Sequence, residues 1–304
     1  MQVLRSIDAL SALPGPLALA VGVFDGIHLG HQEVIRAAQE HATQHHGTAV
    51  VVTFDPHPAQ VLRPGAAPKL LCGPRHQQLI LAQTGIEHLL ACPFTTETAR
   101  TPARDFIRQL TAAARPLGCI SVGYTWSFGH GREGNIHLLM DMGQQLDFAV
   151  YGVPPLKIGG QVVSSTLIRE AISRGDFPTA ATLLGRSYTV FGTVVEGRKL
   201  GRQLGFPTAN VDVENEQLPP IGVYAVEARI GTQWLPAVAN LGRRPTVVEN
   251  AEPTLEVHLL DWSGDVYGKD MEVRFTRLLR NEMKFSGLEE LKAQIARDIV
   301  AARG

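Results

Sequence analysis

Two histidines three positions apart, His28 and His31, end a glycine-containing stretch that begins at Gly22. An apolar run over 17–24 leads into this stretch and predicts a buried parallel strand. Residues 32–46 follow it with apolar residues at helical spacing, which predicts a helix. A strand, a tight turn and a helix N-terminus present N–H groups and the positive end of the helix dipole to a ligand. The pattern favours phosphate binding, with both imidazoles facing one ligand. The glycines that would let the backbone approach that ligand are Gly22, Gly26 and Gly30.

Two other interpretations of this stretch stay open at the sequence level. One is an ordinary turn whose histidines face solvent, because short motifs also occur by chance. The other is a metal site built from Asp25, His28 and His31, since carboxylate and imidazole groups both bind metals. The local sequence offers no obvious further ligand for such a site.

Two more stretches have residue types suited to phosphate. The stretch 162–169 opens a predicted helix with Ser164, Ser165 and Thr166 and ends at Arg169. Helix capping explains the hydroxyls equally well, but not the arginine, whose planar guanidinium donates charge-assisted hydrogen bonds. The stretch 197–210 contains three glycines and three cationic side chains, for which a solvated hairpin turn is the alternative.

The elements that position these residues change in character along the chain. Apolar runs alternate with helical patterns from residue 17 to about 155, which predicts an α/β fold with a doubly wound parallel sheet and ligands at the carboxyl ends of its strands. Short alternating strands beyond residue 186 predict a small antiparallel β-barrel. We therefore expect two domains, 1–186 and 187–304.

A terminal helix is predicted from Ser286, with Glu289 completing a capping box. The expected apolar face of this helix consists of Leu288, Leu291, Ile295 and Ile299.

One motif in the first half competes with the histidine turn. Gly129, Gly131 and Gly134 fit the GxGxxG pattern of dinucleotide-binding proteins. That fingerprint belongs to the first strand-to-helix turn, which here is the histidine turn, so we do not expect a dinucleotide site. No P-loop sequence occurs.

Composition narrows the class of protein. The 304 residues are 44% hydrophobic and 19% charged, with a formal net charge of −1. These values are typical of a soluble globular protein and argue against a general nucleic-acid binder. The three cysteines have no CxxC spacing and suggest a reducing, cytoplasmic location. No run approaches the roughly 20 apolar residues of a membrane span. Oligomeric state has no sequence signal.

The motifs together resemble known families. The histidine turn resembles the HxGH signature of nucleotidyltransferases. The stretch 197–210, with 240–246, 255–258, 266–268 and 280–282, resembles the riboflavin kinase module. The order and spacing of both over nearly the whole chain resemble the bacterial bifunctional riboflavin kinase/FMN adenylyltransferase family. The resemblance implies ATP, riboflavin and FMN as substrates and Mg²⁺ as cofactor.

The resemblance also implies roles for residues of the first half, where FMN would attack the α-phosphate of ATP. His28 and His31 would be catalytic, and Thr125 would contact the flavin. The implied ATP-binding residues are Gly22, Phe24, Asp25, Gly26, Ser165, Thr166 and Arg169.

In the second half, the resemblance makes Glu256 the base for the ribityl hydroxyl and Thr208 and Asn210 the magnesium ligands. Arg280 and Glu282 would contact the flavin. Strand alternation puts Glu256 and His258 on one face, and a surface-facing glutamate is the alternative. The implied ATP-binding residues here are Gly197, Gly201, Arg202, Gly205, Pro207 and Thr208.

Two positions depart from the family pattern. The family usually has Asp or Asn where this chain has Thr125, and an aromatic residue where it has Val247. Because a threonine hydroxyl cannot reproduce a carboxamide or carboxylate, we expect either slower adenylylation or a flavin that is held differently. A kinase whose second activity has decayed and a flavin-sensing module without turnover are the competing hypotheses.

Overall fold

The computed structural model describes residues 1–197, 201, 204–243 and 253–304. Arg202 and Val247 therefore lie outside the described residues. The chain forms two compact units, of which the first contains Met1–Pro68 and Gln77–Ser165. The second contains Lys69–His76 and Thr166–Gly304. A short segment of the first half, 69–76, thus belongs to the unit of the second half, and the boundary near residue 186 stays a prediction about where the two activities divide.

The first unit is built on a six-stranded parallel sheet in the order β1-β4-β3-β2-β5-β6. Its strands are β1 Gln2–Leu4, β2 Leu17–Val21, β3 Thr48–Asp55, β4 His88–Pro93, β5 Leu117–Gly123 and β6 Ala149–Val153. All five residues of β2 are buried, as expected for a strand covered on both faces. The chain leaves β2 toward β3 on one side and later returns to β5 on the other. A ligand crevice is expected between the carboxyl ends of β2 and β5.

Helices and a small hairpin complete the fold of the first half. The hairpin strands are β7 Lys157–Ile158 and β8 Gln161–Val162. The helices are α1 Leu29–Gln44, α2 Pro58–Leu62, α3 Pro74–Gln83, α4 Ala103–Ala113, α5 Ile136–Leu146, α6 Ser165–Ser173 and α7 Phe177–Leu184. The sequence predicted a start for α1 near residue 32, three residues late, because the capping role of His28 was missed.

The GxGxxG stretch serves a structural role. Gly129 and Gly131 have positive φ angles of 74° and 60°. A Cβ on Gly134 would lie 2.7 Å from the Cβ of Ala103, so close packing requires glycine there.

The second unit contains the predicted antiparallel barrel, closed in the order β10-β13-β12-β11-β14-β9. Its strands are β9 Thr189–Val195, β10 Ala209–Val213, β11 Gly222–Ile230, β12 Gln233–Arg243, β13 Pro253–Leu259 and β14 Asp270–Arg280. Leu255, Val257 and Leu259 are buried inside the barrel, and Glu256 and His258 lie on its outer face, as the alternation predicted.

The terminal helix, α8 Leu288–Arg303, differs from its prediction in two details. Ser286 donates through its N–H (2.8 Å) and its hydroxyl (2.7 Å) to Glu290, so the expected pairing with Glu289 was wrong. Leu288 is 57% exposed and does not belong to the apolar face. The start of the helix lies two residues later than predicted, and this shift explains the pairing of Ser286 with Glu290. Leu288 is the first residue of the helix.

A buried ionic network crosses the barrel. Glu272 accepts hydrogen bonds from Arg229 (2.9 Å) and Thr189 (2.8 Å), and the Thr189 hydroxyl lies 3.1 Å from Nε2 of His76. Burial alone would raise the pKa of Glu272. The His76 ring at 3.6 Å, the hydrogen bond from Thr189 and the charge of Arg229 outweigh burial and lower the pKa of Glu272 to about 2.

Candidate active sites

The turn between β2 and α1 has an unusual backbone. Phe24, Gly26 and Ile27 have positive φ angles of 54°, 78° and 41°. Glycine adopts this region freely, whereas the two apolar residues are strained in it. Both of those side chains are at most 1% exposed, so their burial holds the strained turn in place. Asp25 is also buried, at 5% exposure.

His28 caps helix α1. Its Nδ1 accepts a hydrogen bond from the His31 N–H at 3.2 Å, so the neutral imidazole carries its proton on Nε2 and offers it as a donor. The two imidazole rings stack with centroids 3.6 Å apart. A Cβ on Gly30 would lie 3.2 Å from Cε1 of His28, and this crowding explains the glycine between the histidines.

Side chains from four elements hold the carbonyl groups of this turn. Thr53 donates to Val23 O at 2.8 Å, and Gln77 donates to Val23 O at 3.1 Å and to Phe24 O at 3.3 Å. Gln32 and Ser165 donate to Ile27 O and Asp25 O, each at 2.9 Å. Sequence reasoning identified Ser165 alone among them, because amide and hydroxyl donors far along the chain leave no local pattern.

The predicted residues of α6 have different surroundings. The Ser165 hydroxyl contacts the turn, and Thr166 is exposed. Nε of Arg169 donates to the carbonyl of Lys69 at 2.6 Å, so this guanidinium is oriented by the backbone. Both Arg169 and Lys69 belong to the second unit.

Thr125 is the second residue after β5, at the same edge of the sheet as the histidine turn, because β2 and β5 are neighbours. It is exposed between Tyr124, which is 50% exposed, and Trp126. The Trp126 ring stacks on Phe128 with centroids 4.3 Å apart. Trp126 is thus packed on a buried ring next to Thr125.

A cavity of about 360 Å³ lies against the barrel and helix α8. We call it the helix-side cavity. Its polar lining from the strands and the preceding loop is Thr208, Asn210, Asn240, Glu256, His258, Arg280 and Glu282. Leu291 and Ile295 of α8 contribute apolar lining. The structure thus gathers the predicted base, metal ligands and flavin residues of the second half in one place, with Gly201 beside them. Gly197, Gly205 and Pro207 do not line this cavity.

Strand register places Glu256 at the centre of this lining. Its Cα pairs with that of Asn210 on β10 and with that of Asn240 on β12. Residues directly opposite each other in a sheet share a face, so the carboxylate stands between two amides. Sequence reasoning missed the role of Asn240, although it quoted the residue within a motif.

The two loop glycines pack on the two predicted metal ligands. A Cβ on Gly197 would lie 2.8 Å from Oδ1 of Asn210, and closer still to other atoms of that side chain. A Cβ on Gly201 would lie 3.2 Å from the Thr208 hydroxyl. These glycines therefore let the loop backbone cover Asn210 and Thr208. Gly205 has a φ of 89° and serves the turn instead.

The flavin residues predicted near the end of the barrel have protein partners. Arg280 donates to both carboxylate oxygens of Asp298 on α8 at 2.8–3.0 Å, and their side chains are only 17% and 7% exposed. The Glu282 carboxylate lies against Cα of Gly242, where a Cβ would collide with it. Arg280 thus anchors α8 while lining the cavity.

A second cavity, of about 610 Å³, adjoins the same loop. We call it the Trp262 cavity. Its aromatic lining consists of Trp262 and Tyr267, and it shares Thr208 with the helix-side cavity. His258 donates from Nδ1 to Pro207 O at 2.8 Å, which fixes the loop between the two cavities.

Two features are absent from the described residues. No group of three His, Cys, Asp or Glu side chains is placed to hold a metal ion. No helix in this part of the chain combines the length and apolar character needed to span a bilayer.

Two family models match the chain in the order that the motifs predicted. The FAD synthetase model matches residues 11–167, and the riboflavin kinase model matches residues 184–304.

Curated relatives match over nearly their whole length. The bifunctional riboflavin kinase/FMN adenylyltransferase of Escherichia coli strain K12 is 38% identical over 100% of this chain and 97% of the relative. The protein of the same name from Bacillus subtilis strain 168 is 36% identical over 92% and 89%.

A crystal structure described as that of a macrolide-efflux protein from Streptococcus pneumoniae has a TM-score of 0.81 and 29% identity, covering 100% of this chain and 98% of its own. That description differs from the names of the curated relatives. The two family models and the relatives agree with one another, and they carry the assignment. This chain belongs to the family of bifunctional riboflavin kinase/FMN adenylyltransferases.

Proposed function

We propose that this chain makes FAD in two steps, phosphorylating riboflavin to FMN at the barrel and adenylylating FMN at the histidine turn. The observation that carries the first step is the position of Glu256 between Asn210 and Asn240 in a cavity with an apolar wall. An apolar wall suits the flat isoalloxazine ring, and a carboxylate among polar groups suits proton removal from a hydroxyl.

In the first step, the Glu256 carboxylate takes the proton of the ribityl 5′-hydroxyl as the oxygen attacks the γ-phosphorus of ATP. The γ-phosphoryl group moves to that oxygen, and ADP leaves. We assign riboflavin to the helix-side cavity and the nucleotide to the Trp262 cavity, whose Trp262 and Tyr267 side chains offer faces for adenine. Thr208 lines both cavities, so the phosphates would meet the hydroxyl there.

The residues around Thr208 and Asn210 fit Mg²⁺. A hydroxyl, an amide carbonyl and the nearby Glu256 carboxylate are hard oxygen donors, and Mg²⁺ tends to share such donors with substrate phosphates. Gly197 and Gly201 would bring loop backbone close to the same phosphates. Bound Mg²⁺ would withdraw charge from the β- and γ-phosphate oxygens.

In the second step, the dianionic phosphate of FMN attacks the α-phosphorus of ATP and pyrophosphate leaves. This reaction needs no protein base, because the second pKa of a phosphate monoester is near 6. The turn would contribute positioning and charge stabilisation. His28 suits this task because its cap fixes the tautomer with a proton on Nε2.

The cysteines support a reducing, cytoplasmic location, which is also part of the proposal. Cys72, Cys92 and Cys119 are free and buried. Burial raises the pKa of Cys92 and of Cys119 to about 12, so these thiols stay protonated and inert.

Incubation of the purified chain with riboflavin, ATP and Mg²⁺, followed by separation of the flavins, tests the proposal. FAD is expected to accumulate. A chain that stops at FMN has lost the second activity, the alternative suggested by Thr125, and a chain that makes neither product is a binding module.

Glu256→Gln tests the role of the base. It should lower FMN formation by roughly 10²–10⁴-fold and leave FAD formation from supplied FMN unchanged. Glu227→Gln changes a carboxylate outside both cavities and serves as the matched control. Equal losses in the two variants would exclude Glu256 as the base.

A further inference from the structure

The histidine turn is strained at Phe24, and one distant side chain bonds the carbonyl groups on both sides of that residue. Phe24 has a φ of 54°, which non-glycine residues rarely adopt. Nε2 of Gln77 donates to the carbonyl before Phe24, Val23 O, at 3.1 Å. The same nitrogen donates to the carbonyl of Phe24 itself at 3.3 Å. Two bonds to consecutive carbonyls fix the orientation of both peptide planes.

We propose that Gln77 is a positioning residue for adenylyl transfer, acting through these two bonds on the turn that presents His28. It touches no reacting atom. The proposal rests on the proposed function of the turn and adds a residue, 54 positions along the chain from Val23, that sequence motifs did not indicate.

An amide side chain matches this position for a chemical reason. Val23 O also accepts from Thr53 at 2.8 Å, and Phe24 O also accepts from the Ile27 N–H at 3.2 Å. Gln77 adds a bond to each carbonyl and links the two, because its amide has two N–H donors on one nitrogen. A glutamate of the same shape presents acceptors to two acceptors, and a methionine of similar length presents nothing. The neutral amide also adds no charge beside a phosphate site.

Loss of the two bonds should let the Phe24 peptide planes rotate toward an unstrained conformation. Phe24 packs edge-on against the His31 ring at 5.3 Å, and that ring stacks on His28. Rotation at Phe24 would therefore move both imidazoles. A displacement of about 1 Å in a phosphate site lowers rates by up to roughly a hundredfold.

The experiment compares three variants of the full chain: Gln77→Met, Gln77→Glu and Gln78→Met. Gln78 is the next residue of helix α3 and, within the described residues, donates to no carbonyl of the turn. Steady-state kcat and KM for FAD formation from supplied FMN and ATP are measured, with melting temperature and FMN formation from riboflavin as internal controls.

We expect kcat for FAD formation to fall about tenfold to a hundredfold in Gln77→Met and further in Gln77→Glu, with KM for ATP changing less. FMN formation and the Gln78→Met variant should match the parent chain. A residue with only a packing role would instead lower the melting temperature and leave kcat of the folded enzyme unchanged, and that result would overturn the proposal.

A parallel His28→Ser variant separates this proposal from the function on which it rests. If His28→Ser loses FAD formation and Gln77→Met and Gln77→Glu do not, the turn is the adenylylation site and the role of Gln77 is wrong. If His28→Ser also forms FAD at the parent rate, the turn is not the adenylylation site, and the role of Gln77 is then overturned together with the function on which it rests.

Discussion

His28 uses its two ring nitrogens for different purposes. Nδ1 accepts the hydrogen bond that caps the start of helix α1. The ring proton is therefore on Nε2, which can donate a hydrogen bond to a phosphate. One side chain thus contributes both to the fold and to the proposed chemistry. The two contributions can be separated, because a serine hydroxyl caps a helix and cannot reach as far as an imidazole.

We expect His28→Ser and His28→Ala to lower FAD formation from FMN to a similar extent, on the order of a hundredfold, because both lose the Nε2 donor. Their stabilities should differ, since loss of a helix cap costs about 1 kcal/mol and serine restores the cap. Thermal unfolding and the rate of FAD formation measure the two effects. A serine variant with the parent rate would show that His28 is a cap alone.

Thr125 is exposed at the crevice between β2 and β5, where the family usually has Asp or Asn. Thr125→Asn supplies a carboxamide at a position with room for it, so we expect FAD formation to stay equal or rise. Thr125→Val is the matched control, because it keeps the shape and removes the hydroxyl. If Thr125→Asn lost FAD formation while remaining folded, Thr125 would belong to a reorganised site.

At the scale of elements, helix α8 is held on the barrel by a buried ion pair. The Asp298 carboxylate accepts hydrogen bonds from Arg280 and, at 2.8 Å, from the side chain of Gln294. Gln294 lies one turn earlier in α8. A second ion pair, Asp261 with Arg303, ties the end of the same helix at the surface, with side chains 68% and 51% exposed. Both are arginine–aspartate ion pairs, but the first is buried and the second is exposed.

Asp298→Asn should therefore destabilise the protein by about 3 kcal/mol, because it leaves Arg280 buried without its charge partner. It should also raise KM for riboflavin, since α8 forms a wall of the helix-side cavity. Asp261→Asn, the same change in an exposed pair, should cost less than about 1 kcal/mol. Chemical denaturation measures the free energy of unfolding of each variant, and kinase kinetics measure KM for riboflavin. Equal losses of stability in the two variants would mean that burial does not determine how strongly an ion pair holds α8 on the barrel.

The network of Glu272 gives the barrel a pH dependence with a defined sign. Its folded pKa of about 2 lies below the ordinary value of 4.5, so its contribution is present above pH 4.5 and lost as pH falls toward 2. We expect Glu272→Gln to reduce the free energy of unfolding at neutral pH by on the order of 2 kcal/mol and to flatten its decline over that window.

Urea unfolding at several pH values measures this effect, with Glu227→Gln as the control. Glu227 pairs with Arg274 on the same barrel, and its side chain is 41% exposed. An unchanged slope in Glu272→Gln between pH 4.5 and 2 would assign the acid sensitivity of the barrel to other groups.

At the scale of the whole molecule, the sequence predicted most of what local patterns encode. The parallel sheet, the barrel and the terminal helix are confirmed, because hydrophobic period and turn residues specify them. Helix α7 was missed although its signals were present: Asp176 caps it, Pro178 lies in its first turn and Gly185 ends it. Strand β10 overlaps the end of the motif 197–210 and was missed, although its five residues alternate between more and less buried positions.

Long-range contacts account for what remained unpredicted. Gln77 and Thr53 hold the histidine turn from distant positions, and Asn240 meets Glu256 only through barrel register. None of these pairings has a period or a motif in one sequence. The family resemblance supplied the roles of Glu256 and Thr208, and periodicity alone would have left Glu256 as a surface residue.

Segment 69–76 belongs to the compact unit of the barrel, and this placement affects synthesis. Arg75 pairs with Asp270 at 3.0 Å, and Leu70 O accepts from Gln217 N–H at 2.9 Å. A ribosome adds about 5–20 residues per second, so the last of these partners emerges on the order of 10–40 s after the segment. During that interval Leu71 and Cys72, buried in the finished protein, are without their cover. A nascent chain of this enzyme therefore carries a short apolar strip whose partners in the second unit are made only later in translation.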